Sequence, residues 1–180
     1  MDYIEEAKNI LSENGFEWNV STGVYEKTIT VPAESPEAEE PSEEELPPVE
    51  KKLSLSFSIL VNEENSFRIQ IAEAIARTLK LAGIQAGVKA VSFEEYEKAI
   101  AEGSYDAALC SMALPENNDL SCFAAPGGIC NTGSLEGKSL ITAISVSETY
   151  EERKEAWFRL EGYFRESLPV ISLYFEKSSL

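Results

Sequence analysis

No histidine occurs among the 180 residues. Its absence removes His-based catalytic triads, imidazole metal ligands and the usual proton shuttle near neutral pH. Basic residues are scarce as well: 15 Lys and Arg stand against 32 Asp and Glu, a formal charge of −17. Such a surface repels phosphate backbones and anionic headgroups, and no local basic run offsets it, so neither nucleic acid nor a membrane surface is an expected partner. Long apolar runs are missing too; nothing approaches the roughly 18 residues of a membrane span. The opening Met1-Asp2-Tyr3-Ile4-Glu5-Glu6 lacks the basic and apolar regions of a secretory leader. Three cysteines, Cys110, Cys122 and Cys130, form no Cys-x-x-Cys pair, which leaves zinc and dithiol redox motifs unsupported. Two readings of them stand: small hydrophobes in a strand and a loop, or, in an oxidising compartment, a short loop closed between Cys122 and Cys130.

What is present is a 43% hydrophobic chain, enough for one α/β domain or two very small ones. Ile4, Ala7, Ile10 and Leu11 share one helical face ahead of Gly15. Residues 16–20 and 24–31 read as a β pair around the turn Ser21-Thr22-Gly23. Residues 32–50 then hold eight acids, no bases and Pro32, Pro36, Pro41, Pro47 and Pro48. Proline removes backbone donors and like charges repel, so a solvated, extended loop that is dispensable for folding is expected over about 32–52. Outside residues 32–50 the charge is only −9, from 24 acids and 15 bases.

From Leu53 the pattern alternates β and α. Residues 53–61 alternate and then turn wholly apolar, as in a strand covered on both faces. Ser66 is placed to cap a helix carrying Ile71, Ile75, Leu79 and Ala82, which Gly83 and Ile84 end. Residues 88–91 make a second strand. Ser92 and Glu95 form a capping box for a helix that buries Phe93, Tyr96 and Ile100 and stops at Gly103. Residues 104–110 make a third strand, and the βαβαβ order predicts parallel pairing with the first strand in the middle. A Gly/Pro/Asn-rich loop spans 115–137. A helix over about 148–167, boxed by Thr149 and Glu152, sets Trp157, Leu160, Phe164 and Leu168 on one face; residues 170–175 are a last strand. The fold class is α/β: a doubly wound, mainly parallel sheet with helices on both faces. Residues 1–180 form a single lobe, divided into a helix and β pair (1–31), the acidic loop (32–52) and the core with its closing helix and strand (53–175).

In such sheets ligands approach the carboxyl ends of the strands, here residues 62–66, Ser92 and the loop opened by Ser111 and Met112. No Gly-rich phosphate loop follows Val61, and Glu63 and Glu64 repel an anion there, so no nucleotide is expected. Asp106 starts its strand and cannot serve as a phosphoryl acceptor at a strand end. Cys110 has no histidine base, and Glu94 and Glu95 suit the first turn of a helix better than acid–base work. No catalysis, metal or other cofactor is expected.

Five stretches then line up in one order: Ala7-Lys8-Asn9-Ile10-Leu11 through Gly15-Phe16; Ile59-Leu60-Val61-Asn62; Val91-Ser92-Phe93-Glu94-Glu95-Tyr96; Tyr105-Asp106-Ala107-Ala108-Leu109; and Tyr163 to Phe175. In that order the chain resembles the C-terminal lobe of extracellular solute-binding proteins of the peptide and nickel type, the receptors of ABC importers. The resemblance implies one lobe of a periplasmic-binding-protein-like type II fold. It also implies an extracellular or periplasmic site of action and a peptide or small solute as ligand. The missing N-terminal lobe and an ABC permease would be its protein partners. Relatives are longer and close two lobes on the ligand, so the chain is expected to be a fragment, incomplete for binding by itself. Relatives often carry Gly-Trp and then an Asp that holds the peptide amine after the third strand. Here Ser111 and Met112 replace the pair and Leu114-Pro115-Glu116 occupies the Asp region, with Asp119 just beyond. The candidate ligand-binding residues are therefore Ser111, Met112, Leu114, Glu116, Asn118 and Asp119, with Glu116 or Asp119 either replacing the amine-binding acid or merely solvating the loop. The alternative is a freestanding α/β interaction module that uses its acidic loop.

Overall fold

A computed structural model of the chain describes residues 2–31, 49–112, 119–126 and 134–174. Most of the acidic run (32–48), together with Leu114, Glu116, Asn118, Cys130 and Phe175, lies outside the described residues.

Helix α1 (Tyr3–Glu13) is capped by Asp2, whose carboxylate accepts from the Ile4 and Glu5 amides, and it ends at Asn14 before Gly15. None of its residues is fully buried. The expected β pair follows as strands β1 (Glu17–Asn19) and β2 (Val24–Val31), which pair antiparallel. A third strand, β3 (Val49–Ser54), pairs antiparallel with β2 and reaches Val31↔Val49. Residues 49–52, assigned above to the acidic loop, are thus the start of a strand.

The single strand expected over 53–61 is divided at Leu55. Its amide donates to the Tyr25 carbonyl at 3.0 Å, while its carbonyl accepts from the Gln85 amide at 2.8 Å. Before Leu55 the backbone bonds to β2; beyond it β4 (Ser56–Asn62) enters a second sheet. Side-chain alternation continues through such a switch, so the sequence pattern carries no mark of it.

Helix α2 (Ser66–Leu81) is capped by Asn65, one residue before the Ser66 named from sequence; the Asn65 side chain accepts from the Arg68 amide at 3.0 Å. Asn competes well with Ser at this position. Its end is the Schellman closure expected, with Ile84 donating to the Leu79 carbonyl and Gly83 to that of Lys80. Strand β5 (Gln85–Val91) starts at once, three residues earlier than predicted. Helix α3 (Phe93–Glu102) carries the Ser92/Glu95 capping box and buries Tyr96, while Phe93 stays 48% exposed. Strand β6 is only Ala107–Ala108. The second sheet is parallel with the order β5-β4-β6, so the first core strand is central as predicted and the chain is α/β.

The long loop expected over 115–137 contains a short helix, α4 (Ser121–Ala124), and leads into α5 (Leu135–Val146). The sequence reading missed α5 because its apolar residues surround the helix instead of forming a stripe. Helix α6 (Tyr150–Ser167) has the predicted Thr149/Glu152 box, but its buried line is Ala156, Leu160 and Tyr163, and Trp157 is 39% exposed. Residues 170–174 form no strand; their β-propensity is high, yet a strand exists only where a neighbour completes the ladder.

The chain divides into two compact units, 1–90 and 91–180. In the first, Val24, Tyr25, Ile59, Leu60, Val61, Ala72 and Ala82 are buried. In the second, Ala124, Leu160 and Tyr163 form a cluster covered by Leu120, Leu140, Ile141, Ile144 and Phe164.

Candidate functional site

Each unit shapes a strand end of its own by local chemistry. In residues 1–90 the turn after β4 is shaped by Asn62, which is 9% exposed. Its side-chain oxygen accepts from the Glu64 amide at 3.0 Å, and its carbonyl accepts from the Asn65 amide at 3.2 Å. One Asx-type bond and one backbone turn bond, both accepted by Asn62, thus turn the chain from the strand into α2 without glycine.

In residues 91–180 the stretch after β6 is anchored by Tyr96, whose hydroxyl donates to the Leu109 carbonyl at 3.2 Å. That bond holds the backbone just before Cys110, Ser111 and Met112. Ser111 is exposed and Met112 half-buried, a wettable position beside an adaptable apolar one. Asp119 is exposed at the entry to α4 and accepts from the Ser121 amide at 2.9 Å; that bond holds its carboxyl below the usual range. Of the six candidates the structure therefore describes Ser111, Met112 and Asp119: the first two continue the β6 segment and the third opens α4. Tyr96 entered the sequence reading only as a buried-face residue. Its positioning role was legible only as a tyrosine on an otherwise apolar helix face, where the hydroxyl needs a partner.

Cys110 is exposed and Cys122 half-buried, both as free thiols. Burial pushes the Cys122 thiol up, which weakens it as a nucleophile. Among the described residues no group of three or more His, Cys, Asp or Glu side chains is placed to hold a metal ion. No helix among them is long and apolar enough to cross a membrane.

Two surface depressions lie elsewhere. One, about 550 Å³, is lined only by α6 residues, including Glu151, Phe158 and Arg159, and a single helix cannot enclose a ligand. The other, about 490 Å³, lies on the β1–β2–β3 sheet against Glu17, Asn19, Glu26 and Lys52. There Glu26 accepts from Asn19 Nδ2 at 2.8 Å and from Thr22 Oγ1 at 3.1 Å. The Asn19 bond first, then Thr22 and the Lys52 charge, hold that carboxyl below its ordinary range. Glu26 is committed to the hairpin.

The fold as a whole matches a group of solved structures. The chain covers them over 92% of its length. They include the oligopeptide-binding protein AppA from Bacillus subtilis in complex with a nonapeptide (TM-score 0.67, 16% identity) and NikZ from Campylobacter jejuni in complex with Ni(L-His) (TM-score 0.63, 15% identity). A third is the oligopeptide-binding protein from Thermus thermophilus complexed with a pentapeptide (TM-score 0.61, 16% identity). The fold is that of the periplasmic binding proteins. The binding-protein fold here is partial: the chain spans 30%, 30% and 28% of those three chains. No protein-family model and no curated protein matches the sequence.

Proposed function

We propose that these residues form a single lobe of the substrate-binding receptor of an ABC importer for peptides or similar solutes. The lobe is non-catalytic and acts outside the cytoplasm or in the periplasm, beside an N-terminal lobe and a permease. The observation that carries this reading is the match of 92% of the chain to under a third of an oligopeptide-binding protein. Ser111, Met112, Leu114, Glu116, Asn118 and Asp119 form its share of the ligand surface, with Asp119 or Glu116 as the acid for the ligand's ammonium group.

In a two-lobe receptor the ligand is desolvated from both sides, and a single lobe leaves water competing for every hydrogen bond. Small peptides are therefore expected to bind no tighter than about millimolar, some 4 kcal/mol of standard free energy. An NMR titration of the labelled chain with a peptide pool checks this. Non-saturating shifts at Ser111, Met112 and Asp119 agree with the proposal; saturable micromolar binding refutes incompleteness, and shifts confined to other surfaces refute the site.

A further inference from the structure

Among the described residues strand β3 is the edge of its sheet and pairs only with β2. All six of its residues are exposed, Val49 by 52% and Leu53 by 42%. An unpaired edge of this length is a template for another strand.

The phase of its hydrogen bonding is fixed. The single bond from the Leu55 amide to the Tyr25 carbonyl turns Leu55 toward β2 just beyond the ladder, and the register 26↔54 through 31↔49 carries that alternation along the strand. Odd residues of β3 therefore turn their backbone groups toward β2, while Glu50, Lys52 and Ser54 present theirs outward. A two-fold antiparallel pairing of two such edges must set even residues opposite even ones, so its axis passes through a residue, within the strand 50, 51, 52 or 53; at 53 Lys52 meets only Ser54 and no opposite charges pair. An axis at residue 50 opposes Glu50 to itself. An axis at residue 52 opposes Lys52 to itself and sets Lys51 against Leu53. With the axis at Lys51, Glu50 faces Lys52 of the second copy and Lys52 faces its Glu50, in hydrogen-bonded pairs. On the other face Val49 meets Leu53 twice. One like-charge pair, Lys51 with itself, is outnumbered by two opposite-charge and two apolar pairs.

We propose that β3 is a self-complementary edge through which two copies of this chain associate antiparallel about Lys51. The proposal goes beyond the receptor reading and does not depend on ligand binding. The sheet continues across the two-fold axis and the interface is isologous. A strip this narrow supports a weak dimer, and the net charge of −17 opposes it at low salt.

Sedimentation analysis of the full chain, from about 10 µM to 1 mM in about 0.15 M salt, tests it. A monomer–dimer equilibrium is expected. Glu50→Lys and Lys52→Glu, which each turn two opposite-charge pairs into like-charge pairs, should each weaken the dimer about tenfold, and the double variant should restore it to within about threefold. Circular dichroism checks that each variant is folded. If a charge reversal unfolds the strand, Glu50→Gln and Lys52→Gln replace it, with an expected loss of about threefold each. A chain monomeric throughout, a dimer indifferent to the single changes, or a double variant no better than either single overturns the proposal.

Discussion

The two compact units reach close packing by different means. In residues 1–90 the tightest approach is at Gly83, where a Cβ would lie 2.6 Å from Tyr25 Cδ2 and 2.7 Å from Trp18 Cζ3. These rings pack edge to face across the hairpin, 5.4 Å between centroids, and close over the end of α2. In residues 91–180 the tightest approach is at Gly137 in α5, where a Cβ would fall on the Ala124 backbone carbonyl. Aromatic side chains have torsions through which to retreat; a carbonyl held in α4 has none. Packing of side chain on backbone is thus more forgiving than packing of backbone on backbone, and the helical unit is the less tolerant one.

The helix starts differ as well. α1 and α2 are capped by single side chains, Asp2 and Asn65; in residues 91–180 α3 and α6 carry reciprocal boxes, α5 has the single cap Ser134 and α4 has no side-chain cap.

The largest effects should separate the two cores. Leu60 and Leu160 are each 1% exposed, and truncation of either to alanine should cost about 3 kcal/mol. Hydrogen exchange should localise the loss, Leu60→Ala loosening residues 1–90 first and Leu160→Ala residues 91–180 first. Uniform loosening by both would erase the distinction between units. Next in size, Gly137→Ala should cost about 2.5 kcal/mol by urea unfolding, and Gly83→Ala about 1.5 kcal/mol despite its φ of +81°. The reverse order would break the contrast between backbone and side-chain contacts.

Smallest is the cap. Thr149→Ala removes the acceptor of the Glu152 amide and should cost about 1 kcal/mol at neutral pH. The Glu152 carboxylate accepts from the Thr149 and Glu148 amides at 3.0 and 3.1 Å, and these bonds hold its carboxyl below the ordinary value. Because the folded value is the depressed one, the stabilisation is fully present above the unfolded value of about 4.3 and is lost as pH falls through the folded value. Glu152→Gln should flatten that part of the acid-unfolding curve; an unchanged acid limb would show that the box adds nothing to α6.

Legibility followed the range of the interactions. The capping boxes at Ser92 and Thr149, the Gly83 closure and the β1–β2 turn were readable because their bonds span a few residues. The burial phase of α6 was read with Trp157 on the packed face, yet Ala156 takes that place; which flank of a helix meets its neighbour depends on a crossing made elsewhere in the chain. Of the candidate site, position along the chain was legible for Ser111, Met112 and Asp119. Of the Tyr96 anchor only the need for a partner was legible, not the partner itself, since its acceptor is a carbonyl thirteen residues away.

By itself the sequence determined the αβ alternation, the caps, the exclusion of His chemistry and the parallel core with its first strand central, because propensity, capping and crossover handedness act locally or by general rule. Tertiary structure alone decided that one apolar run is shared between two sheets at Leu55, that α5 packs on α6 and meets α4 at Gly137, and that residues 170–174 form no strand. Each of these rests on a partner distant in sequence. A ladder or a helix contact forms only when both sides are present, and side-chain periodicity records one side.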